Sequence, residues 1–216
     1  MNLVGDGKII LHLCADIGSD STPYREAGYD VRCIGKDIGI ENVTGSDDVY
    51  GIIANPPCTD FSFAKTTGEA RNMQEGMRLV KECLRIIWES QYILEGAYSK
   101  KTTLKFWMLE NPNGLLKRFL GRPAFEYHPW EFGDNYKKST HIWGWFNPPA
   151  KTYTNVDDVM TPEEIELAKT NSRKLPKFDR LKTREIHYEG NEHLTRQERR
   201  SICSVGFANA FFKSNR

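Results

Sequence analysis

The sequence predicts an α/β fold, a mostly parallel sheet with helices on both faces. Short apolar runs recur along the chain, and helix-like segments separate several of them. In addition, three loops rich in small or rigid residues, DIGSDS, NPPCTDFS and ENPNG, each follow a strand-like run directly. In a parallel sheet such loops gather at one edge, where ligands bind.

The elements follow in order. KIILHLCAD, 8–16, reads as a buried strand that ends in the DIGSDS turn. TPYREAGY, 22–29, suits a short helix with Thr22 as cap, Pro23 at its first position and Gly28 as its stop. YDVRCIG, 29–35, is a second strand, and VYGIIAN, 49–55, a third, ended by Pro56 and Pro57. The clearest helix spans 71–94: Met73, Met77, Val80, Leu84, Ile87 and Gln91 recur at a three-to-four spacing, with Lys81, Glu82 and Arg85 off that line. TTLKFWMLEN, 102–111, is a strand stopped by Pro112. NGLLKRFLG is a short helix ended by Gly121, and STHIWGWF, 139–146, is a late strand.

The stretch 147–193 is polar and irregular, with one helix expected at TPEEIELAKT, 161–170. From Leu194 the chain is helical for most of its remaining length. The expected organisation is a single domain over 1–216, with 147–193 as a reduced insert.

Composition narrows the class. Of 216 residues, 39% are hydrophobic and 27% charged, an ordinary soluble balance. No apolar run approaches the roughly 18–20 residues a bilayer span needs. The N-terminal segment flows into the first strand without a cleavage site, so a cytoplasmic protein is expected. Cys14, Cys33, Cys58, Cys83 and Cys203 are widely spaced and form no CxxC pair, which argues against a disulfide framework or a metal cluster. Four of them have apolar neighbours and are expected to pack as small hydrophobes. The net charge of +1 does not announce a nucleic-acid binder, but 171–184 carries six basic residues against one acidic. With the basic C-terminal stretch it can form a phosphate-facing patch.

Three loops carry the chemistry. A small-residue turn after the first strand lets backbone amides approach a ligand closely. Asp37, just beyond the second strand, is the nearest acidic candidate for a ribose hydroxyl. In NPPCTDFS two prolines stiffen the backbone and hold Cys58 in a defined position; a thiolate there is a strong nucleophile. Glu110 closes an apolar strand, where a carboxylate is costly without a partner or a task. Burial raises such a carboxyl's pKa, which suits a general acid. A cysteine hydrolase fits less well: His128 precedes Pro129, and neither it nor His141 belongs to a base-orienter pattern.

The order of an xDxG loop, PPCxxFS, ENP, a KxT strand and a terminal GFAxAFF helix resembles the cytosine-C5 DNA methyltransferases, most closely the short forms of phage and prophage sequences. The resemblance covers 9–146 and about 194–216, with PPCTDFS and LENP as its specific part. It implies a Rossmann-like, class I S-adenosylmethionine-dependent fold and DNA as partner. It also implies that Cys58 attacks carbon 6 of a flipped-out cytosine while Glu110 protonates the ring at N3. Asp16, Ile17, Gly18 and Ser19 would border the methionine part of the cofactor. Asp37 would take the ribose and Asn42 the adenine amino group. Asn55 and Pro56 would line the cofactor side of the catalytic loop, and Phe207 would match the last motif. Pro57, Thr59, Ser62, Asn111, Lys138 and Thr140 would face the substrate. No metal is implied.

The chain departs from the family pattern in three places. Asp16 stands where the family usually has glycine, although ADIGSD also resembles the cofactor loop of certain tRNA adenine methyltransferases. KKSTH replaces an eighth motif of Gln and two Arg. A full target-recognition domain is missing. The short insert and near-neutral charge keep open a related methyltransferase acting on a cytosine nucleotide, RNA or an amino group, and a non-catalytic homologue that keeps the fold. Oligomeric state and any specificity partner stay open too.

Overall fold

The computed structural model describes residues 5–15, 17–63, 65, 68–95, 98–100, 103–163, 166 and 194–216. Asp16, most of the helix expected at 161–170 and the basic stretch 171–184 lie outside these residues.

The core is a six-stranded sheet built from β1 (Ile9–Leu13), β2 (Asp30–Ile34), β3 (Val49–Ala54), β6 (Phe106–Pro112), β7 (Phe125–Tyr127) and β8 (Thr140–Trp145), in the order β2-β1-β3-β6-β8-β7. β2, β1, β3 and β6 are parallel neighbours, whereas β8 runs antiparallel to both β6 and β7. A separate two-stranded ribbon pairs β4 (Ile93–Glu95) with β5 (Tyr98–Lys100). The expected α/β class and mostly parallel sheet are therefore observed, in a form consistent with a Rossmann-like fold. The chain goes from β1 to β2 on one side, then returns to β3 on the other. In sheets that reverse in this way, ligands bind in the crevice beyond the carboxyl ends of the strands, here those of β1 and β3.

Strand alternation sorts side chains to the two faces of the sheet. Ile9, Leu11, Leu13, Ile52, Ala54 and Leu109 face one cluster, with Val80, Cys83, Ile86 and Ile87 of helix α2 (Met73–Gln91). Ile10, Ile53, Phe106, Met108 and Ile142 face the other, with Phe207, Ala208 and Phe211 of the C-terminal helix α5 (Val205–Ser214). His12, Asn55 and Glu110 continue this second face toward the carboxyl edge.

Helix α2 begins where Asn72 accepts a hydrogen bond from the Glu75 amide at 3.0 Å. Its buried stripe is Gly76, Val80, Cys83, Ile86, Ile87 and Ser90. The expected Met73, Met77 and Leu84 line the edge of that stripe and pack only partly against the core. On its outer side Arg85 pairs with Glu82 and Glu89 and also donates to the Val43 carbonyl at 2.8 Å, which fixes the helix to the loop before β3.

Several boundaries move. Ser21, not Thr22, occupies the cap position of α1 (Thr22–Glu26), because a 3-10 turn over Ser19–Ser21 runs into it. Pro112 ends β6 inside the ladder rather than before it; a strand's last residue can spare the amide that proline lacks. Helix α3 (Lys117–Leu120) ends as expected at Gly121, which has φ 76°. The C-terminal stretch is broken at Ile202–Ser204 into α4 (Arg196–Ser201) and α5. Ser204 caps α5 and donates to Asp134, which also accepts from the Gly206 amide at 3.0 Å, placing a carboxylate at the helix start. Among the described residues, no helix is long and apolar enough to cross a membrane, and no group of His, Cys, Asp and Glu is placed to hold a metal ion.

Candidate active site at the sheet edge

Strand register explains why the candidate residues meet. Leu13 lies opposite Ala54, and Ala54 opposite Leu109. One residue further along, Asn55 and Glu110 leave adjacent strands on the same face, beside His12 of β1.

A hydrogen-bond network joins them. His12 is buried; its Nδ1 lies 2.8 Å from Ser21 Oγ and its Nε2 lies 2.7 Å from Asn55 Oδ1. Asn55 Nδ2 points at two carboxylates, Asp20 Oδ1 at 3.5 Å and Glu110 Oε2 at 3.4 Å. Burial holds the His12 pKa below its ordinary value, with the Asp20 charge and Asn55 opposing.

Cys58 is half-buried in the loop after β3. Its carbonyl accepts from the Phe61 and Ser62 amides at 3.0 and 2.8 Å, forming a tight turn around the thiol. Arg71, just before α2, clamps the far side of this loop by donating to the Asp60, Ser62 and Lys65 carbonyls at 2.8, 2.9 and 3.0 Å. The ENPNG loop closes onto it. Asn111 Nδ2 donates to the Pro56 carbonyl at 2.9 Å, and Leu115 N to the Phe61 carbonyl at 2.8 Å. Gly114 is required at that approach: a Cβ there would lie 2.2 Å from the Phe61 carbonyl oxygen.

The Cys58 thiol feels the Glu110 charge. Burial pushes the Cys58 thiol up, and the Glu110 carboxylate adds to the rise; Lys138 and Arg200 oppose it. Burial likewise pushes the Glu110 carboxyl up, with Lys138 opposing, Asp20 adding and the Asn55 amide opposing. Lys138 is held over the site because its Nζ donates to the Arg200 carbonyl at 3.1 Å. A thiol, a buried carboxyl and two cations thus converge on one edge. Such a set can add a nucleophile to an electron-poor ring while delivering a proton to it.

The other expected residues fall as follows. Gly18 is left-handed at φ 72°, and Ser19 Oγ accepts from the Cys203 amide at 2.9 Å, which brings the C-terminal segment back to the first loop. Ile17 packs against the small Tyr136 and Ile202 cluster. Asp37 is exposed in the turn after β2; Asn42 is exposed too, and its Nδ2 donates to the Ile38 carbonyl at 2.7 Å. Pro56 is buried, while Pro57 and Thr59 are exposed beside Cys58. Ser62 is buried and bridged to Gly114. Thr140 is buried, with its hydroxyl donating to the Lys138 carbonyl at 3.1 Å. Phe207 is core: 1% exposed, it stacks on Tyr127 with centroids 4.0 Å apart, so the motif match there marks packing rather than a ligand contact. Cys203 packs in the core as expected, and burial, joined by the neighbouring Asp20 carboxylate, pushes its thiol well up.

Sequence reasoning missed His12, Asp20, Ser21, Arg71 and Arg200. One signal was present for His12: a lone polar residue near the carboxyl end of an otherwise apolar strand. Arg71 and Arg200 carry none, since their partners are distant backbone carbonyls or a charge reached only by folding. No protein-family model matches this chain, and no curated protein matches it at a significant level.

Proposed function

We propose that the chain is an S-adenosylmethionine-dependent methyltransferase acting on carbon 5 of cytosine in DNA. The observation that carries this reading is the pairing of Cys58 and Glu110. Cys58 stands on the loop after β3 and Glu110 near the end of the neighbouring parallel strand β6, where the Glu110 charge reaches the thiol and Lys138 and Arg200 oppose its effect.

The crevice beyond β1 and β3 suits the cofactor. Gly18, left-handed and without a Cβ, leaves room for close backbone approach, and Asp37 stands exposed beyond β2. Ile17, Ser19, Asn42, Asn55 and Pro56 are the other candidates for the cofactor, with Asp16, which lies outside the described residues. When bound, the cofactor supplies an electrophilic methyl group.

The residues then divide the work. Cys58, as thiolate, forms a carbon–sulfur bond at carbon 6 of the cytosine, and Glu110 gives its proton to N3. Electron density so gained at carbon 5 makes that atom nucleophilic toward the methyl group. Solvent water then takes the carbon 5 proton, the freed electron pair restores the 5,6 double bond and expels Cys58 as thiolate, and the N3 proton returns to Glu110. Because carbon 6 is out of reach in a stacked duplex, the base must leave the stack or come from a single strand.

A second reading, a related enzyme acting on a cytosine nucleotide, RNA or an amino group, draws on the net charge of +1. Incubation with labelled cofactor and unmodified DNA, followed by nucleoside mass spectrometry, separates the two. 5-Methylcytosine supports the proposal; methylated amino groups, or product from RNA or nucleotides alone, support the rival.

A further inference from the structure

The Asn55 amide has one accepting oxygen and one donating nitrogen. On one side it meets His12 Nε2; on the other, two carboxylates, which when ionised only accept. The nitrogen must therefore face Asp20 and Glu110, and the oxygen His12. That makes Nε2 the protonated nitrogen of a neutral imidazole and Nδ1 an acceptor, so the hydrogen bond at Nδ1 is donated by the Ser21 hydroxyl. The same hydroxyl can also donate to the Gly18 carbonyl at 3.0 Å; the 2.8 Å contact with Nδ1 is the shorter, and that carbonyl has the Ser21 amide and the Thr22 hydroxyl as further donors.

We propose that Ser21, His12 and Asn55 form a one-directional hydrogen-bond relay that keeps an amide N–H on the Glu110 carboxylate, with His12 as a positioning residue. This rests on Glu110 being the proton donor of the proposed reaction. Among the described residues, the Asn55 amide and the Lys138 ammonium before β8 favour the ionised form of Glu110. Asp20 from the turn after β1 opposes ionisation. Cys58 of the β3 loop, Tyr127 of β7, Tyr136 and Cys203 also feel the Glu110 charge, and Arg200 of α4 faces Cys58. Without His12 the amide loses the donor that holds its oxygen on the side away from Glu110. It can turn its oxygen to Glu110, where it accepts from the protonated acid and so favours that form. The relay thus favours the carboxylate form against the burial that opposes it, and holds Glu110 pointed at one place.

The test is a carbon-13 NMR titration of the glutamate carboxyls in the full chain, with Glu110 assigned by comparison with Glu110→Gln. His12→Leu removes both hydrogen bonds, and Glu110 is expected to titrate at higher pH. His12→Gln restores an N–H near the Nε2 position, and the titration is expected to return toward the wild type; His12→Asn, which mimics only Nδ1, is not expected to rescue it. Should His12→Leu fail to fold, Asn55→Leu carries the same expected upward shift. An unshifted Glu110 in a folded His12→Leu or Asn55→Leu, or a shift in His12→Gln as large as in His12→Leu, overturns the relay. The titration needs no substrate. A wild type that shows the shifts but transfers no methyl group refutes the proposed function alone; one that transfers methyl without the shifts refutes the relay alone.

Discussion

The Asn111 side chain donates to the Pro56 carbonyl at 2.9 Å and is itself fully buried, which ties the strand end carrying Glu110 to the loop carrying Cys58. Proline supplies no amide at that point, so the carbonyl is the backbone group through which Pro56 is held. Asn111→Ala should leave the carbonyl buried and unpaired, a loss of about 1–3 kcal/mol. Thermal unfolding measures this loss. Methyl transfer should fall further than the fraction unfolded explains, because the spacing of Cys58 and Glu110 also loosens.

Gly114 makes the second joint between these loops. Gly114→Ala places a methyl group 2.2 Å from the Phe61 carbonyl oxygen, and backbone cannot yield as a flexible side chain can. The expected cost is about 1–3 kcal/mol, typical of forcing extra volume into a packed site. Denaturant titration should show the lower midpoint, and cysteine alkylation should show Cys58 more accessible.

Glu110→Gln tests the electrostatics with a definite sign. Because the Glu110 charge raises the Cys58 thiol, its removal should lower the thiol pKa and speed iodoacetamide labelling of Cys58 at neutral pH. Lys138→Met should act oppositely and slow it. Stability follows the same logic. Glu110 has a folded-state pKa above its unfolded value, so its favourable contribution is fully present below the unfolded value. It is lost as pH rises through the folded one. Glu110→Gln should therefore be more stable than the wild type at neutral pH, with the difference vanishing in acid. Unfolding curves at both pH values check the sign.

Phe63 and Phe119 stand half-exposed on either side of the catalytic loop, with Lys117 Nζ 6.0 Å from the Phe63 ring centroid and Phe119 packed on Phe61. Exposed rings beside cations suit stacked bases and phosphates. Phe63→Ser and Phe119→Ser should each weaken binding of single-stranded oligonucleotide by about 1–3 kcal/mol. Lys117→Ala combined with Arg118→Ala should flatten the salt dependence instead. Fluorescence anisotropy across a salt series separates the two effects.

Much of this architecture is legible in the sequence, and the gaps have physical causes. β1, β3 and β6 announce themselves as apolar runs because both faces of a parallel strand are buried. Alternation has no direction, so nothing in STHIWGWF tells that β8 runs antiparallel to β6. β7 is only three residues long, between Pro123 and Pro129, and gives no period to read. The stripe of α2 was misplaced because Gly76 and Ser90, both buried, do not register as hydrophobic. In the site, Cys58 and Glu110 were legible from rigid loops after strands. The His12–Asn55 contact was not, since it joins residues 43 apart and appears only once strand register is known. Phe207 shows the reverse error: a residue matched to a motif turned out to hold the core together.

The central claim is covalent attack by Cys58 on cytosine. The most direct measurement is incubation of the protein with S-adenosylmethionine and an oligonucleotide containing 5-fluorocytosine, then intact-mass and peptide mass spectrometry. Fluorine at carbon 5 cannot leave as the proton does, so the adduct persists. The account predicts a protein–oligonucleotide adduct carrying one added methyl group, mapped to Cys58 and absent in Cys58→Ser. Methylated oligonucleotide with no adduct, or methyl transfer by Cys58→Ser at the wild-type rate, would contradict it.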